Sequence, residues 1–166
     1  MAITALKGTP VQIIGELPVV GATAPDFTLT GADLGDVTSS ELRGKRVVLN
    51  IFPSIDTRVC ATSVRRFNEL AAGLENTAVV CASADLPFAL GRFCGAEGIE
   101  NVVSASSFRS DFGSEFGLTL GDGPMQGLLA REIVVLDENG SVLHTELVPE
   151  ITIEPNYDAA IAALSN

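Results

Sequence analysis

Histidine, cysteine and long apolar runs are all scarce in this chain, and each scarcity removes a class of function. The sequence has one histidine, His144, and three cysteines, Cys60, Cys81 and Cys94. No C-x-x-C or C-x-x-H spacing occurs, which argues against a zinc site and against a thioredoxin-type dithiol. A cysteine–histidine hydrolase would have to use His144, which alternates in a strand-like run. An odd, sparse set of cysteines behind a start without a basic leader and apolar core is not a secreted disulfide framework. No apolar run approaches the ~18 residues a membrane span requires. The expectation is therefore a cytoplasmic protein without a membrane partner. Positive charge is scarce as well: the formal net charge is −11, which disfavours nucleic acid and anionic surfaces as partners.

Hydrophobic residues make up 46% of the 166 positions and charged residues 19%, enough apolar content for one ordered domain over residues 1–166. The cations are unevenly spread. Six of the ten (Arg43, Lys45, Arg46, Arg58, Arg65, Arg66) lie between positions 43 and 66, where Asp56 is the only carboxylate. Beyond Arg131 there are no cations and seven carboxylates. For Arg65 and Arg66 an ordinary solvated helix face is the simpler reading, with Arg65 and Glu69 as an i,i+4 pair. Arg58 lies closer to a thiol and has an even claim to a local electrostatic role.

That thiol is Cys60. It follows the β-rich run Val47-Val48-Leu49-Asn50-Ile51-Phe52 and the segment Pro53-Ser54-Ile55-Asp56-Thr57. Cys60, Val64, Phe67, Ala71 and Leu74 recur at helical spacing, so Cys60 opens the inward stripe of a helix over about 57–74. Asp56 or Thr57 is placed to cap it. A sulfur in the first turn meets unpaired backbone N–H groups and the positive end of the helix dipole, and both favour thiolate over thiol. Taken alone, however, a cysteine on an apolar helix face is more often a core residue than a nucleophile.

The rest of the chain reads as an α/β domain. Residues 3–6 and 10–14 form an N-terminal hairpin, 26–30 and 36–38 short strands, and Ser39 or Ser40 caps a helical turn ending at Gly44. Lys45–Phe52 and Thr77–Ser83 are near-continuous apolar runs, expected of strands covered on both faces. Cys81 lies inside the second and reads as an inert core thiol. Asp85 is placed to cap a short helix with Pro87 in its first turn, stopping near Cys94-Gly95. A brief strand at 102–104 and a helical turn within 111–116 follow. Residues 120–129 form a glycine-rich loop without a phosphate-loop Lys-Ser/Thr pair. Arg131–Leu136 and Ser141–Leu147 form a hairpin, and Tyr157–Leu164 a closing helix. The order is compatible with a thioredoxin-like fold: a mixed central sheet with helices on both faces and an N-terminal β-hairpin extension.

Pro53, Thr57 and Cys60 satisfy P-x-x-x-T/S-x-x-C, and the run Phe52–Cys60 resembles the thiol peroxidase subgroup of the peroxiredoxins. Pro10–Gly15, Gly127–Arg131 and Glu150–Tyr157 are similar to that subgroup too, so the likeness spans nearly the whole chain. One departure is Arg58, where the subgroup often has proline or a small residue. The resemblance implies an atypical two-cysteine peroxidase with no cofactor and no metal. Cys60 would be the peroxidatic cysteine, Thr57 would hydrogen-bond thiolate and peroxide, and Pro53 would shield the centre. Arg131 would pair with the thiolate and Cys94 would be the resolving cysteine. It further implies a hydroperoxide substrate, thioredoxin as reductant and a homodimer, with Phe52, Phe88, Leu129 or Met125 forming an apolar mouth. With both helices intact, Cys60 and Cys94 are expected to sit too far apart for a disulfide, so bonding requires local unfolding, which Gly91, Gly95 and Gly98 favour in the Cys94 segment. A redox-sensing switch and a noncatalytic binding module are the alternatives that turnover with a thioredoxin system would separate.

Overall fold

The structure is a computed structural model that describes residues 2–165. Its centre is a seven-stranded sheet. In chain order the strands are β3 (Thr28–Gly31), β4 (Asp36–Thr38), β5 (Arg46–Ile51), β6 (Thr77–Ser83), β7 (Val103–Ser106), β9 (Glu132–Leu136) and β10 (Val142–Leu147). In space they run β10-β9-β5-β6-β7-β3-β4. The β5–β6 and β6–β7 pairs are parallel and the other pairs antiparallel, so the sheet is mixed as expected. A separate three-stranded sheet joins β1 (Ile3–Leu6) and β2 (Thr9–Ile14) to β8 (Thr119–Leu120).

Helices lie on both faces, but unequally. The two parallel crossovers step along the sheet in the same direction, and right-handed connection puts both their helices on one side. There α1 (Arg58–Ala71), α2 (Pro87–Glu97) and the closing α4 (Tyr157–Ala163) cover Val48, Val79, Cys81, Ile133 and Val135. The opposite face is covered by the single turn α3 (Phe112–Glu115) and by loops, with Phe27, Phe112 and Phe116 over Leu49, Ile51 and Val134.

Three local expectations are corrected. Residues 39–44 make successive turns, with Leu42 N–H to Ser39 C=O and Arg43 N–H to Ser40 C=O, and no helix. The segment is too short to repay helix nucleation. The stretch read wholly as a loop contributes Leu120 to β8, which pairs with Ile13. The strand is only the two residues Thr119 and Leu120, too short to show a period. Finally, α2 runs on to Glu97 and ends at Gly98, whose φ of 66° supplies the left-handed C-cap. Cys94, expected where the helix stops, therefore lies in its last turn.

One buried residue fits the core poorly. Glu132 is fully buried in β9 with both carboxylate oxygens unpartnered, opposite Ile51. Burial, helped by the nearby Glu146 charge, pushes its carboxyl up to about 8. Across the window from about 4.5 to 8 the native chain keeps a proton that the unfolded chain has released. Stability is therefore expected to fall as pH rises through that window. Glu132→Gln should flatten the decline, as urea unfolding at a series of pH values would register. An identical slope in the variant would remove Glu132 as its source.

Candidate active site

Four of the five expected site residues, Pro53, Thr57, Cys60 and Arg131, converge at one end of β5. The strand leaves the sheet through Phe52, whose N–H still bonds Ala82 C=O at 3.1 Å, and the buried Pro53 follows. Thr57 occupies the N-cap position with extended backbone, but its hydroxyl does not cap the helix. Both its N–H and its Oγ1–H donate to Ser54 C=O, at 3.2 and 2.9 Å. With its hydrogen committed there, Thr57 Oγ1 is left with lone pairs to accept a bond from a ligand O–H. The first intrahelical bond is Ala61 N–H to Thr57 C=O, so the amides of Arg58, Val59 and Cys60 are the orphan donors of the helix start.

Cys60 is fully buried behind this turn, and its sulfur accepts a hydrogen bond from Arg131 Nη2 at 3.2 Å. Arg131 is not the surface residue that a lone arginine beside a strand usually is: it is 1% exposed. Its guanidinium is locked by Ile151 C=O, which accepts from Nε at 3.0 Å and from Nη2 at 2.8 Å. Nη1 is buried with no partner. A rigid fork with one arm on the sulfur and one free donor beside it suits a ligand oxygen held next to the sulfur.

The loop that carries Thr57 is pinned from β6. Asp85 is not the cap of α2, where Leu86 takes the N-cap position without a side-chain bond. Its carboxylate instead accepts from Ser54 Oγ at 2.8 Å, Ile55 N–H at 2.7 Å and Ser83 Oγ at 2.6 Å. A carboxylate two residues past a strand reads as a helix cap unless its loop partners are known, so sequence reasoning missed this tie.

The sulfur lies beneath a cleft of about 370 Å³ whose walls include Leu6, Lys7, Thr57, Arg58, Met125 and Ile151. Of the four residues expected at an apolar mouth, Met125 alone is there. Phe52 and Leu129 are buried in the core, and Phe88 is exposed on α2 away from the cleft lining. Leu6 and Ile151 went unnoticed, because the N-terminal hairpin and the 150–152 segment meet only in three dimensions. Glu150 makes that meeting: its carboxylate accepts from Gly8 N–H, Thr152 N–H and Thr152 Oγ1–H. The Thr152 and Gly8 amides hold that carboxyl down at about 2.

Cys94 is elsewhere. It is half-buried and 3.1 Å from Ser104 Oγ in β7, and all three cysteines are free thiols. β7 and β9 are three strand spacings apart, about 14 Å, so the two sulfurs engage separate parts of the sheet. Of the eleven residues of α2, only Pro87 and Leu90 are buried, both in its first half. The half that carries Cys94 is tied down by Arg92 to Asp56 at 2.9 Å, by Arg65 to Glu97, and by Arg65 over the Phe93 ring. Arg65 thus pairs across to α2, and Arg66 is the partner of Glu69. Cys81 is fully buried, and burial pushes its thiol up to about 12, so it stays protonated.

A buried cysteine at a helix start, clamped by an arginine on a thioredoxin-like sheet, defines a thiol-based redox protein. The redoxin family model matches residues 19–161, and the chain belongs to that family, in its thiol peroxidase branch. It is 62% identical to a thiol peroxidase of Mycobacterium bovis over 99% of both chains. It is 58% identical to a thiol peroxidase of Corynebacterium glutamicum, covering 99% of this chain and 100% of that one. A peroxiredoxin-like protein from Aquifex aeolicus superimposes with a TM-score of 0.95 at 39% identity, covering 99% of this chain and 96% of the other.

Proposed function

We propose that this chain is a thioredoxin-dependent peroxidase in which Cys60 attacks hydroperoxides and Cys94 resolves the product. The observation that carries the reading is the bond from Arg131 Nη2 to Cys60 Sγ with Nη1 free beside it. Cys60 thiolate attacks the terminal oxygen of the hydroperoxide, and the O–O bond breaks as the S–O bond forms. Sulfur is oxidised to sulfenic acid, and the departing alkoxide takes a proton from solvent to become an alcohol. Thr57 Oγ1 accepts from the peroxide O–H, Arg131 Nη1 donates to the oxygens as charge shifts between them, and Pro53 excludes water. These donors act mainly on the transition state, which is where rate is gained.

The sulfenic acid then condenses with the Cys94 thiol, releasing water and leaving a disulfide. A disulfide needs Cα atoms within ~7 Å, so the last turns of α2 must leave Ser104 first. The sparse burial of that half-helix supports local unfolding as the route. A thioredoxin dithiol then reduces the bond, becoming oxidised itself. That reductant and the unpaired thiols suit a reducing, cytoplasmic setting. Leu86, Phe88 and Phe108 are exposed just past the C-terminal ends of β6 and β7, where Ser106 Oγ–H bonds Asp85 C=O, and they support a homodimer. A monomer by sedimentation at assay concentration would remove the dimer from this reading.

A coupled assay with thioredoxin, its reductase and an alkyl hydroperoxide tests the whole proposal. Sustained turnover lost in Cys60→Ser is the expected result. Slow, merely stoichiometric oxidation would instead favour a redox sensor.

A further inference from the structure

The cleft over Cys60 has an electrostatic character opposite to that of the chain. The protein carries a formal charge of −11, yet the charged residues lining this cleft are Lys7, Arg58 and Arg131, with no carboxylate among them. Arg131 is committed to Cys60 and Ile151. Lys7 and Arg58 are exposed and, among the described residues, neither side chain has a hydrogen-bond or ion-pair partner. Glu150, Glu154 and Asp122 border the cleft without lining it, and their hydrogen bonds hold them in place rather than remove their charge. Glu150 is bonded to Gly8 and Thr152, Glu154 in the adjoining cleft accepts from Tyr157 O–H, and Asp122 accepts from Gln12 N–H.

Neither cation sits where local structure favours it. Arg58 is the first residue of α1, against the positive end of the helix dipole, and no acidic residue in that turn offsets it. Lys7 shares the two-residue β1–β2 turn with Gly8, at φ values of 51° and 83°. Such a turn ordinarily takes asparagine, aspartate or glycine at its first central position. Both residues therefore work against their local backbone preferences, and both line the cleft that Thr57 and Arg131 also line. Arg131, whose Nη1 is buried without a partner, lines the same cleft. Leu6, Met125 and Ile151 supply apolar wall between them.

Resting on the peroxidase reading above, we infer that Arg58, with Lys7, makes this cleft selective for hydroperoxides bearing a carboxylate. The peroxide end meets Cys60, Thr57 and Arg131, and the organic chain lies on Leu6, Met125 and Ile151. The carboxylate is held at the rim by the two cations, and the chemistry at sulfur is unchanged. Arg58 acts as a specificity residue through charge, so its effect weakens when salt screens the rim.

The test uses a tertiary-alkyl hydroperoxide with a terminal carboxylate and its methyl ester, compared by stopped-flow oxidation of the reduced full chain. At low ionic strength the acid is expected to react about tenfold faster than the ester, within the range that local charge confers. The ratio should collapse toward unity in about 1 M salt, where the screening length is about 3 Å. It should also collapse in Arg58→Ala with Lys7→Ala, and survive in Arg58→Lys. Equal rates for acid and ester in the unaltered chain, or a ratio untouched by the double substitution, would overturn the inference. No oxidation by either compound would overturn the peroxidase reading itself.

Discussion

Arg131→Lys is expected to slow oxidation of Cys60 by roughly a thousandfold while the chain remains folded, because three tasks would fall on one ammonium. Arg131 spends Nε and Nη2 on Ile151 C=O, Nη2 on the sulfur, and leaves Nη1 for a ligand. Lysine keeps the charge but offers one nitrogen on a flexible stem. If it bonds Ile151 it leaves the sulfur; if it follows the sulfur it leaves a buried carbonyl bare. Losing two charge-assisted bonds at about 1.5–3 kcal/mol each matches a barrier increase of ~4 kcal/mol, which is a thousandfold in rate. Stopped-flow oxidation of the variant would measure it. A rate within threefold of the unaltered protein would show that the fork has no part in the reaction.

Cys94→Ser is expected to separate the two halves of the cycle. The variant should react with one equivalent of hydroperoxide as fast as the unaltered chain, since Cys94 is bonded to Ser104 on another part of the sheet. It should then stall, because Cys60 sulfenic acid has no thiol to condense with and thioredoxin meets no disulfide. Steady-state turnover should fall at least a hundredfold, and excess oxidant should drive Cys60 to sulfinic acid. Cys81 is no substitute: it is fully buried and keeps its proton. Unimpaired turnover in Cys94→Ser would mean that the oxidised Cys60 is reduced directly.

The sequence made some of this plain and left other parts out of reach, for reasons that differ by residue. The paired β-rich runs, the helix after Pro53 and the closing helix follow from periodicity, and they set Cys60 at a helix start. Periodicity also found the hairpins, because each has a turn between apolar runs. It missed β8, a strand of two residues that exists only because β2 is beside it. The glycines around it answer to packing, as at Gly117, where a Cβ would collide with the Glu16 backbone. Arg131 was legible only through the family resemblance: nothing local distinguishes a buried arginine beside a strand from an exposed one. The Asp85 tie and the Leu6–Met125–Ile151 wall join residues far apart in the chain, which no window of sequence brings together.

Hydroperoxide is expected to oxidise one sulfur, Cys60, made reactive by Arg131. Adding one equivalent of alkyl hydroperoxide to the reduced chain in the presence of a sulfenic-acid trap, then mapping by mass spectrometry, tests it most directly. Oxidation is expected to be confined to Cys60, appearing as the trapped sulfenic acid or as a Cys60–Cys94 disulfide, and to be strongly suppressed in Arg131→Lys. Oxidation that began at Cys94 or Cys81, with Cys60 left as a free thiol, would contradict it.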